Sequence, residues 1–254
     1  MTKKALIELI DVRKTFEGVN ILDGVNLKIE RGEILAIMGM SGVGKSVLLK
    51  HLIGLMKPDS GQIFIYGKDI TRLKGKGLDK IREKFGFLFQ DGALFDSMDV
   101  LHNVAFPLRE RTNYSYNIIR DRALEMLLHV GLKGIERKWP DELSGGMKRR
   151  VAIARSLIME PEIILFDEPT TGLDPIICAS IHHLIAEAHK RFDFTAVIIS
   201  HEVPHIFDIA TRVAMIFQGK IIEVGTPEEI KNSKNPIVRQ FITGSLEGPV
   251  NAIF

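Results

Sequence analysis

The stretch Gly39-Met40-Ser41-Gly42-Val43-Gly44-Lys45-Ser46 fits the pattern G-x-x-x-x-G-K-[ST] and constrains the fold more than any other part of the chain. The apolar run Ile34 to Met38 before it has the pattern of a short buried strand, and Ser46 to Ile53 after it begins a helix whose first amides would face the loop. Strand, glycine-rich loop and helix in that order predict a phosphate-binding loop in an α/β fold. Glycines let the backbone wrap close around phosphate oxygens. Lys45 brings a positive charge to the β- and γ-phosphates, and the Ser46 hydroxyl suits Mg²⁺.

The rest of the composition narrows the class. A chain of 254 residues holds one large α/β domain, or one domain with a smaller insertion. With 34 basic and 32 acidic residues, no global field favours nucleic acid. The local clusters Lys74-Gly75-Lys76 and Lys148-Arg149-Arg150 read as solvated faces. Cys178 is the single cysteine, which excludes an internal disulfide framework and a cysteine-rich zinc site, and fits a reducing compartment. No run of eighteen or more apolar residues encodes a membrane span, and acids interrupt the first apolar stretch too early for a signal peptide. A cytoplasmic protein is expected, with any membrane contact made through a partner.

Taken in order, Ala5 to Val12 alternate loosely, as in an edge or half-buried strand, and Val25 to Glu30 alternate more cleanly. Phe16 precedes a turn at Glu17-Gly18; it reads either as a flat face for a purine ring or as a core phenylalanine. Turn chemistry from Lys57 to Gly61 leads into a strand from Gln62 to Tyr66. Thr71 to Arg82 is basic and shows no clear period. Phe85 to Phe89 is a buried-strand pattern ending on Gln90. From Asp91 to about Arg155 the pattern turns helical, with Ile118, Ala123, Met126, Leu127 and Val130 as one apolar face and Pro107 and Pro140 as punctuation. The C-terminal region holds strands at Val213 to Phe217 and Lys220 to Val224, a capping box at Thr226-Pro227-Glu228-Glu229, and a helix from about Pro236 to Ile242. Gly244 to Phe254 is irregular, with Ile253 and Phe254 suited to docking on another surface.

Polar residues gather where apolar runs end. Ile163 to Phe166 reads as a central parallel strand and runs into Asp167-Glu168; ligands of open α/β sheets bind beyond such strand ends. There Asp167 can hold Mg²⁺ and Glu168 can orient or deprotonate a water, although two acids after a strand can also cap the next element. Gln90 reads as a surface glutamine, or as a group that reaches Mg²⁺ or the water. Ala196 to Ile199 is another buried strand, followed by Ser200 and His201. His201 suits contact with a γ-phosphate, but lone histidines are more often structural. Leu143-Ser144-Gly145-Gly146-Met147 opens an amphipathic helix that Ser144 can cap, with glycines leaving the first amides open to an anion.

The ordered set of phosphate loop, Gln90, Leu-Ser-Gly-Gly-Met, Asp167-Glu168 and His201 resembles the nucleotide-binding subunits of ABC transporters over about Leu6 to Phe241. The resemblance implies a P-loop ATPase with a RecA-like core, an N-terminal antiparallel β-subdomain and an inserted α-helical subdomain. It places an ATPase domain at 1–243, with the helical insertion at about 91–160, and a tail at 244–254. ATP and Mg²⁺ are the implied cofactors. Glu168, His201, Lys45 and Gln90 become the catalytic group. Phe16, Gly39 to Val47, Ser144, Gly145, Gly146 and Asp174 become nucleotide-binding residues, with Ser46, Gln90 and Asp167 at the metal. Because Ser144 to Gly146 of one subunit face the nucleotide of the other in this family, a homodimer is implied. Val47 and Met147 depart from the common motifs, without loss of hydrolysis expected.

A narrower likeness rests on the loop continuing as Val47-Leu48-Leu49-Lys50, on Leu88 to Ser97, on Asn103 to Glu110 and on Leu246 to Val250. These segments are similar to the Mla-type phospholipid-transport ATPases. The likeness implies a permease docked near Gln90 to Val100, a mammalian-cell-entry-domain lipid-binding partner, maintenance of outer-membrane lipid asymmetry, and a place on the cytoplasmic face of the inner membrane. The alternatives are an importer of another cargo, such as an amino acid or metal, and a non-transport ABC ATPase acting on nucleic acid or ribosomes. The near-neutral charge disfavours the last.

Overall fold

The computed structural model describes residues 5–250. Strands β1 (Ile7–Phe16) and β2 (Val19–Ile29) form a hairpin closed by Glu17 and Gly18. Both turn residues have positive φ, 49° and 82°, the handedness that matches the twist of the flanking strands. Next come β3 (Ile34–Met38), α1 (Lys45–Leu52), β4 (Ser60–Ile65), β5 (Lys68–Asp69), a 3₁₀ turn over Ile70–Arg72, and α2 (Lys76–Arg82). Then follow β6 (Phe85–Leu88), α3 (Val100–Arg111), α4 (Tyr116–His129), a 3₁₀ turn over Pro140–Glu142, α5 (Gly145–Leu157), β7 (Ile163–Asp167), α6 (Pro175–Phe192) and β8 (Thr195–Ser200). The chain continues through α7 (Val203–Phe207), β9 (Arg212–Phe217), β10 (Lys220–Gly225), α8 (Pro227–Lys231) and α9 (Pro236–Thr243).

The chain divides into two compact units, one up to Glu83 and again from Val197, the other from Lys84 to Ala196. The first unit holds an antiparallel sheet, β2-β1-β4-β5, and the strands β10-β9-β3-β8. In the latter set β3 runs parallel to β9, and β10 returns antiparallel to it. In the second unit β6 lies parallel beside β7. All five residues of β3 and all five of β7 are buried, as their unbroken apolar runs require of strands covered on both faces. Burying a side chain such as Leu35 or Ile164 stabilises the fold by roughly 1.5–3 kcal/mol.

Of the two readings open for the first strand the structure selects the half-buried one, since β1 pairs with β2 on one side and β4 on the other. Three expectations from the sequence change. Residues 76–82 are helical, because Leu78 and Ile81, one turn apart, are both buried. The buried face of α4 contains Ile119, 8% exposed, in place of Ile118, 47% exposed. Ile119 lies four residues before Ala123, whereas Ile118 lies five before it and rotates off the stripe. Pro107 sits inside α3 and does not break it.

Candidate nucleotide site

In the first unit, β3 delivers the chain into the glycine loop and α1 leaves it. Gly44 occupies the N-cap position at φ 97°, a left-handed conformation that favours glycine. No side chain caps the first turn of α1. Lys45 is buried, and its Nζ donates to the carbonyls of Gly39 and Met40, each at 2.8 Å. A buried ammonium must be hydrogen-bonded, so the loop curls around Lys45 and presents its own carbonyls to the charge. Ser46 is half-buried in the same turn, beside Val47, while Met40, Ser41 and Gly42 face outward and Val43 is half-buried. The loop thus holds a cation at its centre and a hydroxyl at the helix start.

Phe16 ends β1 with 40% of its surface exposed, so it is not a core residue. The Lys14 ammonium stands 5.3 Å from its ring centroid, and Lys14 is itself paired with Asp59 at 2.6 Å. His201 directly follows β8 and is exposed; the Glu202 amide donates to the Ser200 hydroxyl at 3.0 Å, closing the turn beside it. The strands β3 and β8 are neighbours, so the glycine loop and His201 follow adjacent strands.

The second unit carries the carboxylates. Asp167, the last residue of β7, is buried, and Glu168 follows it at φ 48°. That left-handed backbone is uncommon for a glutamate and costs on the order of 1–3 kcal/mol, strain of the kind found at functional positions. The Thr171 hydroxyl donates to Glu168 Oε2 at 2.8 Å and fixes the carboxylate. β6 and β7 run parallel with Leu88 opposite Phe166. Gln90 and Glu168 therefore both lie two residues past that pair, at the same end of the strands. The Gln90 side chain is exposed.

Two further helix starts belong to this unit. The Ser144 hydroxyl accepts from the Met147 amide at 3.3 Å and caps α5. Gly145 is exposed, and a Cβ on Gly146 would stand 2.9 Å from the Ile177 side chain of α6, which would have to shift to admit it. The Asp174 carboxylate accepts from the amides of Ile176 and Ile177, both at 3.1 Å, and caps α6.

The sequence reading of Lys148-Arg149-Arg150 as a solvated face is wrong for Arg149, which is only 7% exposed. Its guanidinium donates to the carbonyls of Phe89 at 3.2 Å, Gln90, and Thr171 at 3.5 Å. Burial holds this guanidinium below the ordinary arginine value, with the charge of Asp91 acting the other way. Arg155 donates to the carbonyls of Gly92 and Ala93 at 2.6 and 2.8 Å. Periodicity carried the signal: Arg149 shares the i, i+3, i+4, i+7 stripe with Ala152, Ile153 and Ser156, all buried. Asn103 is a second buried polar residue with no signal in the sequence. It is buried and ties down the preceding loop through Phe95 and Met98.

A buried strand, a glycine loop curled around a buried lysine and a helix form the arrangement of a P-loop nucleotide-binding protein. The structure agrees with solved cassettes. It matches the "Dimeric structure of a post-hydrolysis state of the ATP-binding cassette MJ0796 bound to ADP and Pi" with a TM-score of 0.80 and 34% identity, over 87% of this chain and 98% of that one. The family model described as "ABC transporter" matches residues 22–171. This chain belongs to the ABC transporter family, as an ATP-binding subunit with ATPase activity. It is 44% identical to "Probable ribonucleotide transport ATP-binding protein mkl" of Mycobacterium leprae, over 96% of this chain and 70% of that protein. It is 43% identical to "Intermembrane phospholipid transport system ATP-binding protein MlaF" of Haemophilus influenzae, over 91% of this chain and 87% of that protein. No helix among the described residues is long and apolar enough to cross a membrane.

Proposed function

We propose that this chain supplies the ATPase of a phospholipid transporter, working as a homodimer on the cytoplasmic face of the inner membrane. The observation that carries the cargo is the likeness to the Haemophilus influenzae phospholipid-transport protein across most of both chains. Residues 1–243 serve as the ATPase domain, with the helical insertion at about 91–160, and 244–254 as its tail. A permease docks near Gln90 to Val100, and a mammalian-cell-entry-domain protein carries the lipid.

In this reading the exposed face of Phe16 stacks on the adenine ring. The amides from Gly39 to Val47 bind the phosphates, and Lys45 exchanges the carbonyls of Gly39 and Met40 for β- and γ-phosphate oxygens. The Ser46 hydroxyl, the buried Asp167 carboxylate and the Gln90 amide oxygen are hard oxygen donors that suit Mg²⁺, which takes few protein ligands and keeps phosphate and water oxygens. When bound, the metal neutralises charge on the phosphates. Glu168, held by Thr171, orients a water and takes its proton, while His201 hydrogen-bonds the γ-phosphate. Ser144, Gly145, Gly146 and Asp174 act on the nucleotide held by the other copy. The Ser144 hydroxyl accepts from the Met147 amide and keeps its own O–H to donate to a phosphate oxygen. Closure of the pair moves the permease, and hydrolysis resets it.

A ribonucleotide cargo is the competing reading, favoured by the name of the mycobacterial relative. The complex captured from membranes through this chain and rebuilt in vesicles separates the two. ATP-dependent transfer of a fluorescent phospholipid supports the proposal. Ribonucleotide uptake without lipid movement overturns it.

A further inference from the structure

Resting on the ATPase reading above, we infer that Arg149 is a positioning residue for hydrolysis: it clamps the backbone that carries Gln90 to the backbone that holds Glu168. One guanidinium reaches carbonyls on two separate segments, Phe89 and Gln90 beyond β6, and Thr171 beyond β7. Thr171 in turn donates its hydroxyl to Glu168. Arg149 stands on α5, the helix that Ser144 caps, so the two strand-end segments and the Ser144 helix share one anchor.

The chemistry is specific to arginine. A guanidinium presents several N–H groups in a rigid plane, which suits carbonyls on two separate segments, whereas a lysine ammonium offers a point charge on a flexible stem. The acceptors are neutral backbone oxygens, so the bridge draws on geometry as well as on charge. Arg155, six residues on, extends it along the same loop through Gly92 and Ala93. The carbonyls of residues 89, 90, 92 and 93 are thus all held from α5. A displacement of about 1 Å in a group that positions the reacting water lowers turnover by ~10²-fold.

The test uses the full chain and two variants, Arg149→Met, which keeps the length and removes the donors, and Arg149→Lys, which keeps the charge and removes the fork. Expected is a kcat lowered by ~10- to 100-fold in Arg149→Met, with KM for ATP within about 2-fold and an incomplete rescue by lysine. A cycle with Thr171→Val should be non-additive in kcat, because both residues act on the same carboxylate. Hydrogen exchange at the amides of residues 89–93, faster in Arg149→Met, reads the clamp without turnover. The inference is overturned if kcat stays at the wild-type value, if lysine restores it fully, or if exchange is unchanged. It is overturned equally if the activity lost only matches the fraction of protein unfolded. Wild-type protein that binds ATP and never hydrolyses it would instead overturn the functional reading, leaving the exchange result to decide the clamp.

Discussion

Two glycine-rich helix starts, at α1 and α5, look alike in sequence and differ in what fills them. The start of α1 has Gly44 at its N-cap, no side-chain cap, and a buried lysine curled into the loop. That of α5 is filled by the chain's own hydroxyl, Ser144 on the Met147 amide. A third start, at α6, is closed more firmly, by the Asp174 carboxylate on two amides. Helix N-termini attract anions through unpaired amides and the helix dipole, so the occupant decides the role. At α1 the cap position offers no side-chain acceptor, at α5 it offers a neutral hydroxyl, and at α6 a carboxylate.

That ordering can be broken at each level. The largest effect is expected at α1: Lys45→Ala should lower kcat/KM for ATP by ~10²–10³-fold with little change in melting temperature. An active variant would show that the α1 loop is not where phosphate charge is met. At α6, Asp174→Ala should cost about 1–2 kcal/mol of stability in denaturant titrations, since two amides lose a charged acceptor. At α5, Ser144→Ala should cost no more than about 1 kcal/mol, yet lower ATPase activity by more than that stability loss explains. An equal stability cost at Ser144 and Asp174 would erase the distinction between the two starts. The smallest effect is in pH dependence at α1 itself. Burial, the larger influence, holds the His51 imidazole below the ordinary histidine value, against the opposing pull of the Val47 carbonyl. The unfolded chain then takes up the proton first. Stability is full above the unfolded value of about 6.5 and falls as pH drops from there towards the folded value. Melting curves of His51→Gln should show a flatter acid side than wild type, and an identical slope would exclude His51 as the responsible group.

Where a residue's role rests on local chemistry, the sequence reveals it. The strand, glycine loop and helix from β3 to α1, the buried run of β7, the Ser144 cap and the Thr226 capping box follow from spacing alone, and the structure contains each. Roles that come from burial elsewhere were not legible. Residues 76–82 include Gly77 and start after Gly75, poor local helix signals, and the helix is held by burial of Leu78 and Ile81. Arg149 looked like surface charge because its acceptors are backbone carbonyls, which any residue supplies. The place of Glu168 just past a buried strand was readable from the sequence. Its left-handed backbone and the Thr171 bond were not, since nothing in a Glu-Pro-Thr-Thr segment announces them.

If ATP joins two copies and Glu168 then parts them by hydrolysis, purified Glu168→Gln followed by light scattering with and without ATP should reveal it. A monomer that becomes a stable dimer on adding ATP is expected, with turnover reduced by ~10²–10⁴-fold, while an added Lys45→Ala substitution abolishes the dimer. A Glu168→Gln chain that stays monomeric while binding ATP, or that hydrolyses it at the wild-type rate, would exclude a hydrolysis-controlled dimer.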